Sequence, residues 1–418
     1  MQIKRLQLEN FGGFVSLDLD LDRPLTVLVG ANGSGKSTIL QAIAGLVSTI
    51  QHGGTPPIPA PWLRPGANDL RLGAKSGRAL GTFLHQGLHL DYCIQKPDMG
   101  TPWSGSFVAL PPGIFFEPGH LFLFLVDASR SLTTATLPDW KPKTGFRWGA
   151  VVERSAPPPP TEAEDLGVFA PYPGYARFLE WFKEHEDIEN EQRVATGDLS
   201  TQDPELRAVR DAVAELMPGF DRLRILRKPT PVMVVTKNGL EFRLDQLSDG
   251  ERNLIAMTGD LARRLVAAHG PKAEPRQAEG IVLIDEVDQH LHPAWQRKVL
   301  PALQRAFPKV QFIVTTHSPQ VLSSVAASSI VLLHDFEAHA LTEATRGRDT
   351  NAILRDVFGV PERPEEQVQE IAEITRLIDS LELDEARGRL TRLAVTLSEH
   401  DDAVLSLRTR LDFAEAGL

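Results

Sequence analysis

The run Leu25-Thr26-Val27-Leu28-Val29-Gly30 leading into Ala31-Asn32-Gly33-Ser34-Gly35-Lys36-Ser37-Thr38 constrains this chain more than any other feature. A buried strand that enters G-x-x-x-x-G-K-S and leaves into a helix with an apolar face (Ile39, Leu40, Ile43, Leu46) is built to hold a nucleotide triphosphate, ATP or GTP. Gly30, Gly33 and Gly35 let the backbone curl, so that the N–H groups from Gly30 to Thr38, Asn32 and Ser34 included, can point at phosphates. Lys36 is placed to reach the β- and γ-phosphates, Ser37 to ligate Mg2+, and the helix beneath adds its dipole.

At 418 residues the chain has room for two or three units, at roughly 100 to 200 residues each. No apolar run approaches the ~20 residues of a membrane span, and MQIKRLQLENF has no signal-peptide core, so a cytoplasmic protein without membrane contact is expected. One cysteine, Cys93, excludes an intrachain disulfide framework and a Cys-rich zinc site. A net charge of −11 makes the surface as a whole repel nucleic acid, which confines any DNA contact to a local basic stretch or to a partner.

Patterning divides the chain into a discontinuous nucleotide-binding core at 1–50 and 222–349, a Pro/Gly-rich and mostly β insertion at 51–173, a helical arm at 174–221 and a polar helical segment at 350–418. In the arm, Asp203 reads as an N-cap with Pro204 at the first helical position. Ile281–Ile284, Val310–Thr315 and Ile330–Leu333 are continuous apolar runs, as expected of parallel strands covered on both faces.

Three further motifs carry chemistry. Ile281-Val282-Leu283-Ile284-Asp285-Glu286 is an apolar strand ending in two acids, which assigns Asp285 to the Mg2+ and Glu286 to the attacking water as general base. Ser248-Asp249-Gly250-Glu251 opens a long helix. Its Ser-x-x-Glu spacing is a capping box, but that does not explain Gly250, where a small residue lets another backbone approach. Since the P-loop already has its own helix, the Ser248 hydroxyl and the Gly250 N–H would serve the γ-phosphate of another copy. His317 follows the Val310–Thr315 strand, on the ligand side of an open α/β sheet, where it could bond a γ-phosphate.

The order P-loop, LSDGER, IVLIDE, TTHSPQ resembles the ABC-type ATPase heads of the RecF, SMC and Rad50 group. KRLQLENFGGF and DEVDQHLHPAWQ sharpen the resemblance to the RecF-like branch. The resemblance implies an α/β P-loop head with an antiparallel β lobe, a helical insertion and a C-terminal helical tail. It also implies an ATP-sandwich homodimer or a higher oligomer, with Ser248 and Gly250 as trans contacts, His317 as the switch histidine and Asp288 in the segment crossing the interface. WFKEHEDIENEQR, the LSDGERN helix and DTNAILRDVFGVPERPEE are similar to a bacterial family of predicted ATP-binding proteins that includes ATPases of Septu-type and retron-linked anti-phage systems. Such membership implies action with a separate HNH-type nuclease subunit. A stand-alone DNA repair or recombination ATPase is the alternative, and a transporter's nucleotide-binding subunit is disfavoured by HLHP and the large insertion.

The family's Mg2+-binding glutamine has no clear counterpart; Gln86 and the stretch Asp127-Ala128-Ser129-Arg130 are the available candidates. His85, His89, Asp91 and Cys93 alternate as if on one strand face, and His290 and His292 flank Leu291, but neither set has a second cluster to complete a metal site. Arg222, Arg224, Arg227, Lys228 and Lys237 punctuate strands, as either a DNA-backbone track or a solvated face.

Overall fold

The computed structural model describes residues 1–51, 70–85, 87–97, 104–109, 123–126, 173–269, 277–289 and 291–416. The chain divides into two compact units, Met1–Arg348 and Asp349–Leu418.

The first unit is an α/β body built on a six-stranded sheet. Its order is β14 (Glu337–Ala340), β13 (Ile330–His334), β3 (Leu25–Gly30), β12 (Val310–Thr315), β11 (Gly280–Ile284) and β7 (Leu123–Val126). All neighbours are parallel except β13 and β14. Every residue of β3, β11 and β12 is buried, which is why these strands read as unbroken apolar runs.

A five-stranded antiparallel lobe has the order β2 (Phe14–Asp20), β1 (Gln2–Phe11), β4 (Gly77–His85), β5 (Leu88–Lys96) and β6 (Ser104–Ala109). Helix α1 (Lys36–Gln51) contributes Ile39, Leu40, Ile43, Leu46 and Val47 to one core with Leu6, Leu8, Phe83 and Ile94 of the lobe and Ile281 and Ile313 of the parallel sheet. Burying each of these side chains is worth about 1.5–3 kcal/mol, so P-loop helix, lobe and sheet are stabilised together. The described strands of the Pro/Gly-rich stretch do not form a separate insertion, because β4 pairs with β1 and β7 with β11. The strict in–out burial of β4 gives it one apolar face, and that face can only be covered from α1.

Helices α2 (Pro173–Thr196) and α3 (Pro204–Leu216) pack on α4 (Asp249–His269) rather than standing apart as an arm. A Cβ at Gly259 of α4 would lie 2.3 Å from the Phe178 ring of α2, so the glycine is what admits the aromatic. Asp203 caps α3 by accepting the Leu206 N–H, and Leu206, Val209, Val213 and Leu216 form its buried face. A small antiparallel sheet of β10 (Leu240–Arg243), β9 (Val232–Lys237) and β8 (Phe220–Leu226) lies beside them. It is tied to α2 by Glu186, which accepts the Ile225 N–H and pairs with Arg210 and Arg227.

The second unit holds α8 (Thr350–Phe358), α9 (Glu365–Asp379), α10 (Leu383–Leu397) and α11 (Asp402–Glu415). Ile374, Leu377, Ile378, Leu390, Leu393, Val404, Leu407 and Leu411 make its core. Among the described residues no helix is long and apolar enough to cross a membrane.

Candidate active site

Strand order decides which loops meet. β12 lies between β3 and β11, so the carboxyl ends carrying the P-loop, His317 and the two acids are neighbours along one sheet edge.

At β3 the backbone turns through left-handed conformations at Gly33 (φ 81°) and Gly35 (φ 99°). Gly35 is required twice over, since a Cβ there would also lie 2.5 Å from the Phe14 ring. Phe14 in turn meets Phe336 edge-on, with centroids 5.4 Å apart, so the turn that opens β2 wedges under the loop. The Lys36 ammonium donates to the Gly30 and Ala31 carbonyls at 3.0 and 2.9 Å. Burial lowers its pKa, against the pull of Asp285 and Glu286. The Ser34 hydroxyl is buried and has no hydrogen-bond partner among the described residues.

Asp285 gives its two oxygens to different partners. Oδ2 accepts from Ser37 Oγ at 2.8 Å and Oδ1 from Thr315 Oγ1 at 2.5 Å. Glu286 takes a left-handed backbone, φ 50°, and its N–H donates to Thr315 Oγ1 at 2.7 Å. Thr316 Oγ1 donates to Asp288 at 2.6 Å, and Ser318 Oγ to Gln296 at 2.8 Å. His317 is half-buried. Its pKa is lowered from 6.5 by burial and then by Lys36, while Asp288, Glu286 and Asp285 oppose the shift. The imidazole is therefore neutral at neutral pH and can both donate and accept.

The start of α4 is organised separately. The Ser248 N–H donates to Glu251 at 3.3 Å and the Glu251 N–H to Ser248 Oγ at 3.4 Å, a reciprocal capping box. Lys237 on β9 grips the Glu251 carboxylate at 2.8 Å. Burial would raise the pKa of Glu251, but Lys237 and Ser248 hold it below its ordinary value. Ser248 is exposed and Gly250 buried.

The structure thus joins Ser37, Lys36, Asp285, Glu286 and His317 around one sheet edge, and leaves Ser248 and Gly250 with their own cap. Four residues that sequence reasoning did not single out take part: Thr315, Thr316, Gln296 and Phe14. The tandem threonine immediately before His317 was the available signal.

Other candidates resolve differently. His85 does not share a face with His89, Asp91 and Cys93, because the chain reverses at Gly87 (φ 80°) and His85 pairs with Leu88 across a hairpin. The odd-position alternation was read through a turn, which resets it. Among the described residues no group of three His, Cys, Asp or Glu could hold a metal ion. Of the basic strand residues, Arg224 pairs with Glu241, Arg227 with Asp187 and Glu186, and Lys237 with Glu251. That fits structural ion pairs better than a phosphate track. Gln86, Asp127, Ala128, Ser129, Arg130 and His290 lie outside the described residues.

The nucleotide chemistry of this edge accords with known proteins. Residues 153–323 match the family model described as "AAA domain, putative AbiEii toxin, Type IV TA system", and residues 5–49 match an AAA domain. The Retron Ec83 probable ATPase of Escherichia coli is 27% identical across 99% of this chain and 87% of its own length. The Septu protein PtuA of Bacillus thuringiensis is 25% identical across 90% of this chain and 89% of its length. The Retron Vc95 probable ATPase of Vibrio cholerae is 36% identical over 44% of this chain and 36% of its own. Among solved structures, an SMC head bound to the C-winged helix domain of ScpA matches 82% of this chain and 98% of its own, at 17% identity and a TM-score of 0.47. With its P-loop, its paired acids on a neighbouring parallel strand and its antiparallel lobe, the chain carries the elements of an ATP-hydrolysing enzyme and is similar along most of its length to the retron Ec83 and Septu ATPases.

Proposed function

We propose that the protein binds Mg·ATP at the β3–β12–β11 edge, closes as a homodimer around two nucleotides, and uses that closure to control a nuclease or DNA-binding partner in anti-phage defence. The observation that carries the reading is Asp285, held between Ser37 and Thr315 with Glu286 as the next residue. Ser37 Oγ and Asp285 Oδ2, 2.8 Å apart, form an oxygen pair suited to Mg2+ and its waters, and the buried unpartnered Ser34 hydroxyl suits a phosphate oxygen. Mg2+, when bound, neutralises phosphate charge and orients the triphosphate.

The chain's own groups would do the rest. The N–H groups of Asn32 to Thr38 and the Lys36 ammonium cradle the phosphates, with Gly30, Gly33 and Gly35 allowing the backbone to approach. Glu286 accepts a proton from the attacking water. His317, neutral at neutral pH, bonds the γ-phosphate and registers its loss. Ser248 and the Gly250 N–H reach the nucleotide of a second copy. The Ser248 oxygen accepts the Glu251 N–H and its hydroxyl also serves the Glu251 carboxylate, so reaching a phosphate means exchanging that partner. The relatives' retron and Septu names support the defence setting; a separate HNH-type nuclease subunit rests on the sequence resemblance alone.

The test is Glu286→Gln. It should retain nucleotide binding, lower steady-state turnover by roughly 10²-fold or more, and shift from monomer to dimer mass in light scattering when Mg·ATP is added. Wild-type turnover would remove Glu286 from its role, and a mass indifferent to nucleotide would remove the sandwich.

A further inference from the structure

We infer that Thr315 is a positioning residue for both acids of the site, an assignment that rests on the reading of Asp285 and Glu286 above. Thr315 is fully buried. A hydroxyl has one proton to donate and two lone pairs to accept with. Here the proton goes to Asp285 Oδ1 at 2.5 Å, and a lone pair receives the Glu286 N–H at 2.7 Å. The Thr315 carbonyl then accepts the Val287 N–H at 2.9 Å. The β11–β12 ladder ends in register at Ile284 and Val314, and Thr315 carries the connection three residues further, using its side chain where the strand pairing stops.

Two consequences follow from that geometry. With Oδ1 bound by Thr315, Asp285 cannot swing, and Oδ2 is left facing Ser37 as the metal-side oxygen. The same hydroxyl secures the peptide N–H of Glu286, whose left-handed backbone is disfavoured for a residue with a Cβ and would otherwise relax. One buried atom thereby fixes the spacing between the acid that faces the metal and the acid that faces the water. Thr316 repeats the pattern one residue on, donating to Asp288 while accepting the Ser318 N–H at 3.0 Å. This argues that the pair is a built device.

The experiment measures ATP turnover of the full chain against Mg2+ concentration, and in parallel the Mg2+ dependence of binding of a fluorescent ATP analogue, for Thr315→Val, which keeps the shape and loses the hydroxyl, and Thr315→Ser, which keeps the hydroxyl. Loss of a residue that orients a metal ligand typically costs ~10- to 100-fold, so Thr315→Val should lose at least about 10-fold in kcat and require more Mg2+ for half-maximal rate. Thr315→Ser should return within a few-fold of wild type. Equal defects in both variants, or a normal kcat and Mg2+ midpoint in Thr315→Val, would overturn the assignment. If melting shows Thr315→Val unfolded, Thr315→Ala carries the same expectation. Glu286→Gln run in parallel separates the two claims. If it turns over normally, the reading of Glu286 fails; if it is inactive while Thr315→Val is normal, only Thr315 loses its role.

Discussion

The acids at the end of β11 and the serine at the start of α4 are both held by hydrogen bonds, but the bonds differ in reach. Ser37 and Asp285 are 248 positions apart, and their contact exists only once β3, β12 and β11 lie in register. Ser248 and Glu251 are three positions apart and satisfy each other within one helical turn, with Lys237 as a longer-range clamp. One half of the machinery is assembled by tertiary folding. The other is a local motif carried on a helix, complete in itself and presented to solvent. A chain built this way can dismantle the second without disturbing the first.

Ser248→Arg should show the largest effect, losing hydrolysis altogether while each monomer still binds nucleotide, because the bulky cation blocks only the contact to a second copy. Loss of binding in the isolated monomer would mean the α4 start belongs to its own chain's site, and the contrast would collapse. Asp260→Ala tests the middle of the same helix. Asp260 is fully buried between Arg263 and Arg264, and removing one partner of such a group costs about 3 kcal/mol, the low end of the usual range because the arginines are partly exposed. Burial would raise the pKa of Asp260, but the two arginines hold it below 3.8. Its contribution is thus present above the ordinary carboxylate range and is lost as pH falls through the folded value. Urea melts of wild type and variant should therefore converge on acidification, and a constant gap would refute the charge account. Glu251→Ala should be mildest in stability, about 1 kcal/mol for the lost cap, since the half-exposed Lys237 adds little. A larger fall in turnover than in melting temperature would show that the cap aims Ser248 as well as stabilising α4.

The motifs were legible because each is contiguous: the P-loop, the acid pair, the capping box and the strand end carrying His317 all fit within a few residues. Strand identities within the parallel sheet were legible for the same reason, since doubly buried strands leave unbroken apolar runs. What could not be read was pairing between distant segments. Nothing local in Gly77–His85 says that it lies against β1, and nothing in Phe14 says that it abuts Gly35. The misread face of His85 shows the limit most plainly, because alternation carries no record of a turn until the turn itself is recognised.

Gln311, buried at the start of β12, accepts the Ile3 N–H and donates to the carbonyls of Ile3, Leu21 and Arg23. A single amide therefore rivets the strand that leads to His317 onto β1 of the antiparallel lobe and onto the connection from β2 to β3. Prying lobe from sheet would strand several buried dipoles at once, each at a cost of about 1–3 kcal/mol. These bonds therefore resist hinging of the lobe against the sheet. Whatever motion accompanies the gain or loss of a phosphate has to be expressed elsewhere, with lobe and sheet travelling as one rigid lever.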